Sequence, residues 1–191
     1  MRRIIDHMTD KLMEKTISTE PVFKGKVISL QVDTVELPDG STATREIVKH
    51  PGAVAVLAFH NERLLMVDQF RQAMGRCELE IPAGKLEKGE EPMEAAAREL
   101  QEETGYRCER MTHLHSFYTA PGFSDEIIHL YLAEELTSGE MSPDEDEFLE
   151  VYEVSFEEAQ QYLAEGRIAD AKTMVAFYIW QQRRLTQQAG K

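Results

Sequence analysis

Basic residues are scarce in this chain. Its 191 residues carry 21 Lys and Arg against 35 Asp and Glu, a formal net charge of −14. Nucleic acid and anionic membrane surfaces both call for a basic footprint, so neither is expected as a partner. Cysteine is nearly absent. Cys77 and Cys108 form no metal-ligand spacing and read as reduced thiols. No apolar run approaches the length of a membrane span, and the basic start Met1-Arg2-Arg3 breaks off at Ile4-Ile5-Asp6 without the apolar core of a signal peptide. A cytoplasmic protein is expected. Internal repeats and low-complexity segments are also missing.

What is present is ordinary for a soluble globular chain, at 42% hydrophobic and 29% charged residues. The length suits one good-sized core with a small appended element. With so much negative charge, an anionic substrate would need screening by bound metal or a local basic patch.

Residues 26–37 alternate as a strand, and Pro38-Asp39-Gly40 turns the chain into a second strand over 42–50. This front part, residues 1–50, reads as a small antiparallel sheet. It has few core-sized residues and is expected to pack on the main domain or on a second subunit. Residues 2–15 suit a short helix or an arm. Pro51-Gly52 separates the front part from a main domain over 51–191, with strands expected at 53–59, 63–70, 78–82, 109–118, 127–132 and 149–154. Ser155 and Glu158 form a capping-box pattern that starts a helix to about Glu165, and Asp170 can cap a last helix through Trp180. Met174, Phe177, Tyr178 and Trp180 in that helix read as core or dimer packing, and His113 and His115 as ordinary sheet residues.

The chain is organised around residues 83–106, A-G-K-L-E-K-G-E-E-P-M-E-A-A-A-R-E-L-Q-E-E-T-G-Y. Pro92 suits a first helical turn and Gly105 the left-handed position that ends a helix. Met93, Ala96, Ala97 and Leu100 supply an apolar face. Glu99, Glu102 and Glu103 stand at i, i+3 and i+4, so their carboxylates crowd one side of the last turn, where the helix dipole also disfavours anions. A hard divalent cation such as Mg²⁺ would offset that repulsion. Arg98 and Glu90 flank the cluster and can orient it.

These residues resemble the Nudix box, G-x5-E-x7-R-E-U-x-E-E-x-G-U with U a bulky apolar residue. Gly84, Glu90, Arg98, Glu99, Leu100, Glu102, Glu103 and Gly105 fall in place, and Tyr106 is an aromatic variant at the last position. Downstream, Pro121 lies sixteen residues after Gly105 within Ala-Pro-Gly-Phe-Ser-Asp-Glu126. That run is similar to the ADP-ribose pyrophosphatase branch, as are Arg45-Glu46-Ile47, Gln69-Phe70-Arg71 and the stretch from Glu80 to Gly84.

The resemblance implies an α/β fold: a Nudix-type α/β/α sandwich with a mixed sheet, preceded by a small N-terminal antiparallel sheet. It implies Mg²⁺, or Mn²⁺ in its place, held by the backbone carbonyl of Ala83 with Glu99 and Glu103, helped by Glu102 and by Glu147 from the loop 143–147. Glu145 on that loop is expected as the base that activates water, with Glu102 and Arg98 supporting catalysis. Arg45, Glu46, Arg71, Glu80 and Glu126 are expected to bind substrate. The implied reaction is hydrolysis of ADP-ribose to AMP and ribose 5-phosphate by a homodimer whose front sheets are swapped. The alternatives are another nucleoside diphosphate sugar or a dinucleotide as substrate, or a domain that senses a nucleotide without cutting it.

Overall fold

A computed structural model describes residues 11–144 and 147–189. The helix or arm expected over 2–15 therefore falls largely outside the described residues, and Lys11 and Leu12 form a turn. The chain divides into two compact units. The first runs up to Pro51 and recruits Ala120–Glu126; the second holds Gly52–Thr119 and the chain from Ile127 onward.

The first unit is a three-stranded antiparallel sheet in the order β1 (Lys15–Lys24), β2 (Ser29–Glu36), β3 (Thr42–Lys49). The Pro38-Asp39-Gly40 turn forms as expected. Gly40 sits at φ 84°, a conformation that a Cβ would oppose, and its N–H donates to the Leu37 carbonyl at 2.9 Å. Strand β2 starts later than the alternation suggests, because Gly25 N–H closes a turn onto the Ile28 carbonyl at 2.9 Å. Along β1 every residue is exposed, Ile17, Val22 and Phe23 included. The recruited segment is stitched to β3: Val48 N–H donates to the Phe123 carbonyl at 2.8 Å, and His50 N–H to Asp125 Oδ1 at 2.8 Å.

The second unit is built on a seven-stranded mixed sheet. Its elements are β4 (Ala53–His60), β5 (Arg63–Arg71), β6 (Arg76–Glu80), β7 (Ala83–Lys85), α1 (Pro92–Thr104), β8 (Tyr106–Tyr118), β9 (Ile127–Ser138), β10 (Leu149–Val154), α2 (Phe156–Ala164) and α3 (Ala171–Ala189). The strands run in the order β10-β5-β4-β9-β8, with β6 paired to β5 and β7 to β4. The pair β4–β9 is parallel, and the other pairs are antiparallel.

Strand β4 explains the layering. Ala53, Ala55 and Leu57 face a core shared with Ala159 of α2 and with Ala176, Phe177 and Trp180 of α3. Val54, Val56 and Ala58 face a core shared with Ala95, Ala96 and Leu100 of α1. A strand covered on both faces reads as the unbroken apolar run seen in this sequence, and the result is the α/β/α sandwich. Of the aromatic residues expected as packing in the last helix, Phe177 and Trp180 are buried while Tyr178 is exposed.

Two sequence expectations need correction. The long hairpin of β8 and β9 pairs Tyr106 with Ser138, so both strands outrun their expected bounds. Their far ends are held by backbone pairing while their side chains stay largely exposed, and a burial pattern cannot report that. On α1, Met93 and Ala97 are exposed, and the buried stripe is Ala95, Ala96, Glu99, Leu100, Glu103 and Thr104. The helix is rotated so that two carboxylates, rather than two apolar residues, enter the interior.

Helix α3 is keyed to the loop that follows β6. Asp170 Oδ1 caps its first turn by accepting from Thr173 N–H at 3.0 Å. Thr173 Oγ1, fully inside, accepts from Ile81 N–H at 3.0 Å. Thr173→Val keeps the shape but strands a buried N–H, so it is expected to lower unfolding free energy by about 1–3 kcal/mol in chemical denaturation. An unchanged midpoint would show that Ile81 N–H is satisfied elsewhere.

Candidate active site

The end of α1, the edge strand β7 and the loop before β10 meet at an acidic centre. Pro92 occupies the first turn of α1, and Gly105, at φ 74°, ends the helix by donating to the Gln101 carbonyl at 2.8 Å. That fixes the register at which Glu99, Glu102 and Glu103 leave the helix. Glu103 is 2% exposed and accepts from Ala83 N–H at 3.0 Å. Glu99 lies against Gly84: a Cβ built there would come 1.9 Å from the Glu99 carboxyl carbon. A side chain at residue 84 would have to push the Glu99 carboxylate away from where Arg98 holds it.

Arg98 holds the outer carboxylates in place. Its Nε and Nη2 donate to the two Glu90 oxygens at 2.9 Å each, while Nη1 donates to Glu99 Oε1 and to Glu102 Oε2 at 2.8 Å each. One guanidinium thus spans three acids, using the planar fork that Lys lacks.

The electrostatics are those of a site short of positive charge. Burial pushes the Glu103 carboxyl up to about 8; the Ala83 N–H opposes this, and the charges of Glu99 and Glu147 add to it. Burial likewise raises Glu99, against the pull of Arg98 and with the push of Glu102 and Glu147. The Glu147 charge is thus felt by both Glu99 and Glu103, whereas Glu145 lies outside the described residues. Among the described residues no three His, Cys, Asp or Glu side chains close into a ready-made cage. Arg98 has drawn Glu99 and Glu102 to itself. The donor set nevertheless fits a hard divalent cation: carboxylate oxygens on one helix turn, a glycine cradle that keeps the space clear, and a buried acid whose neutral form is favoured until a cation arrives.

Beside this centre runs a chain of alternating charges. Glu80, at the end of β6, is 2% exposed and accepts from Arg71 Nε and Nη2, both at 2.7 Å. Lys172 Nζ also donates to Glu80 Oε2, and to Asp170 Oδ1 at 3.0 Å. Burial alone would raise the Glu80 carboxyl, but Arg71 and Lys172 outweigh it and hold the group below its usual range. Arg71 also feels the charge of Glu103. Lys172 has no local pattern that marks it, and Asp170 reads in the sequence only as a helix cap.

The remaining expected substrate residues belong to the first unit. Arg45, on β3, forms an exposed ion pair with Glu14, and Arg45 Nη1 donates to the Thr44 carbonyl at 2.9 Å. Glu46 is its exposed neighbour on the strand. Glu126 Oε1 lies 3.6 Å from His50 Nε2.

For Glu103 the sign of linkage is fixed by its raised pKa. The native state binds this proton more tightly than the unfolded chain, so the stabilisation is fully present below about 4.5 and is lost as pH rises through about 8. Metal-free protein is expected to melt several degrees lower at pH 8.5 than at pH 5, and Mg²⁺ to restore more at the higher pH. Glu103→Gln should flatten both trends; equal pH slopes in the two proteins would remove Glu103 as their source.

Residues 49–177 match the NUDIX domain, and residues 14–48 match the nucleoside diphosphate sugar hydrolase N-terminal domain. A methanol dehydrogenase activator of Bacillus methanolicus is 57% identical over 166 residues, covering 85% of this chain and 90% of that protein. An ADP-ribose pyrophosphatase of Bacillus subtilis (strain 168) is 54% identical over 179 residues, covering 92% of this chain and 97% of that protein. A solved structure described as an ADP compounds hydrolase superposes with a TM-score of 0.81 over 91% of this chain and 95% of that chain, and at 20% identity this speaks to the fold. A box whose acids gather around Arg98 and the glycine cradle of Gly84, within a family match over residues 49–177, leads to one conclusion: this chain belongs to the Nudix domain family.

Proposed function

We propose that the chain is an enzyme that hydrolyses the pyrophosphate bond of ADP-ribose to AMP and ribose 5-phosphate, with Mg²⁺ as the working metal. The observation that carries this reading is a buried, cation-seeking carboxylate, Glu103, within electrostatic reach of the Arg71 guanidinium that Glu80 holds. Such a site takes a ligand that is anionic and metal-binding at once, as a pyrophosphate is. The 54% identity to an ADP-ribose pyrophosphatase along nearly the whole of both chains supports ADP-ribose as that ligand.

Glu99, Glu102, Glu103 and Glu147, with the Ala83 carbonyl, would hold the metal. Held there, a divalent cation would offset the negative charge of the pyrophosphate and would make the attacking water more acidic. Arg98 keeps Glu99 and Glu102 aimed so that no ordering cost falls on the reaction itself. Arg71 holds a phosphate oxygen. A water oxygen forms a bond to one phosphorus, the bond from that phosphorus to the bridging oxygen breaks, and the water proton passes to a loop carboxylate. Glu145 is our choice for that carboxylate. We further infer a homodimer, in which Arg45, Glu46 and Glu126 of the front unit contribute substrate contacts. The cytoplasm is the compartment we infer for this activity.

The test is hydrolysis of a panel holding ADP-ribose, ADP-glucose, NADH, diadenosine polyphosphates and 8-oxo-dGTP, with Mg²⁺ and with EDTA. AMP released fastest from ADP-ribose, and only with metal, is the expected result. Preference for another member would keep the chemistry and overturn the substrate. A sedimentation coefficient of a dimer is expected at micromolar protein; a monomer there would sink the shared-site reading. The name of the 57% identical relative favours a second activity, stimulation of a dehydrogenase, which mixing the chain with a methanol dehydrogenase would reveal as a rate increase.

A further inference from the structure

The geometry points to Lys172 as a positioning residue that sets the aim of Arg71 toward the substrate diphosphate, acting through the buried carboxylate of Glu80. This rests on the reading of the acidic centre as a pyrophosphate site, and extends it to a helix that the Nudix box does not include.

Four charges alternate along one path: Asp170, Lys172, Glu80, Arg71. Glu80 is 2% exposed, and the Lys172 side chain only 11%. A carboxylate so deeply placed costs several kcal/mol to desolvate, and is tolerated only where cations and hydrogen bonds surround it. Arg71 supplies two of those bonds and Lys172 a third. Asp170 returns the favour to Lys172, and is itself fixed by the Thr173 N–H at the start of α3. The path is therefore anchored at one end to a helix terminus and is neutral overall.

The other end is open. Arg71 uses Nε and one Nη2 hydrogen on Glu80, so three of its five N–H groups lie along the guanidinium edge away from that carboxylate. None of the described residues takes Nη1, and the side chain remains 38% exposed. This free edge is the right shape for two oxygens of a phosphate, and a planar fork is useful only when its plane is fixed. Glu80 fixes the plane and Lys172 fixes Glu80. Without the ammonium, Glu80 keeps its pair with Arg71 but loses the second cation that defines its rotamer. The guanidinium can then tilt, and small misplacements of a binding group cost heavily.

Lys172 also acts on Glu103, toward which its charge is attractive. Removing it makes the acidic centre more negative. Metal binding should therefore hold or tighten while diphosphate binding weakens. A merely structural defect would weaken both.

The experiment is a double-mutant cycle on Arg71→Lys and Lys172→Met, with Lys172→Arg as the conservative variant. It is read by calorimetric binding of the α,β-methylene analogue of ADP-ribose, by Mn²⁺ binding without nucleotide, and by KM and kcat. Lys172→Met is expected to weaken analogue binding and raise KM about tenfold, the size expected for a lost charged hydrogen bond, with kcat changed far less and Mn²⁺ binding undiminished. Lys172→Arg should recover most of the loss, and Lys172→Met should add little once Arg71 is Lys. Full additivity, unchanged analogue affinity, or a joint loss of analogue and Mn²⁺ binding would each overturn the assignment. Should wild-type protein bind the analogue but fail to cleave ADP-ribose, the substrate reading fails while the cycle still decides the role of Lys172. Should wild-type protein not bind it, the cycle is run on whichever panel member is cleaved.

Discussion

A carboxylate kept out of water governs this molecule. Glu103 sits in the interior, accepting from one backbone N–H, with the charges of other acids pressing on it and that of Lys172 opposing them. Every nearby feature makes sense as a response to that placement. Gly84 clears the space in front of Glu99, Arg98 gathers the outer carboxylates, and β7 runs along the edge of the sheet so that its backbone can face the helix. The sandwich around it provides what such a site needs most, walls that do not yield. Helix α1 is pressed onto the sheet through Ala95, Ala96 and Leu100, and small side chains bring the helix close. Closeness of helix to strand is what brings an acid on one to an amide on the other.

Cations are used sparingly and in depth. In a chain with so strong an acidic excess, three basic groups do most of the work at the centre, and none is alone. Arg98 serves three acids, while Arg71 and Lys172 share one. Sharing locks geometry, because moving any one partner breaks the bonds of the others. The surface pairs are of another kind. Arg110 with Glu134, or Arg184 with Glu157, are exposed and exchange readily with water.

Much of this was legible without coordinates. Pro92 and Gly105 announce both ends of α1, Ser155 and Glu158 do form the reciprocal cap of α2, and the alternation in β2 and β3 marks a hairpin. The box fixes which acids share a face. It does not say whether that face looks at water or at the sheet, because the answer depends on where β7 runs. That is why Met93 and Ala97 were expected inside, and Glu99 and Glu103 were not. Lys172 was invisible for a different reason: its partner Glu80 lies 92 residues away in sequence. No local pattern carries a contact of that span. The far halves of β8 and β9 escaped because their side chains stay largely exposed while their backbones pair.

One topological fact bears on how the molecule can be taken apart. Chain from beyond the first fifty residues, Ala120–Glu126, is recruited into the front unit between two strands of the other sheet. The backbone therefore passes between the two units three times, at 51/52, 119/120 and 126/127. Cutting the chain after the front sheet would not release a module. It would strip β3 of the partner that takes the Val48 N–H and leave that segment hanging from the ends of β8 and β9. A graft of this front unit would have to carry two separate pieces of sequence. A front unit that reads as one stretch of sequence is thus assembled from two.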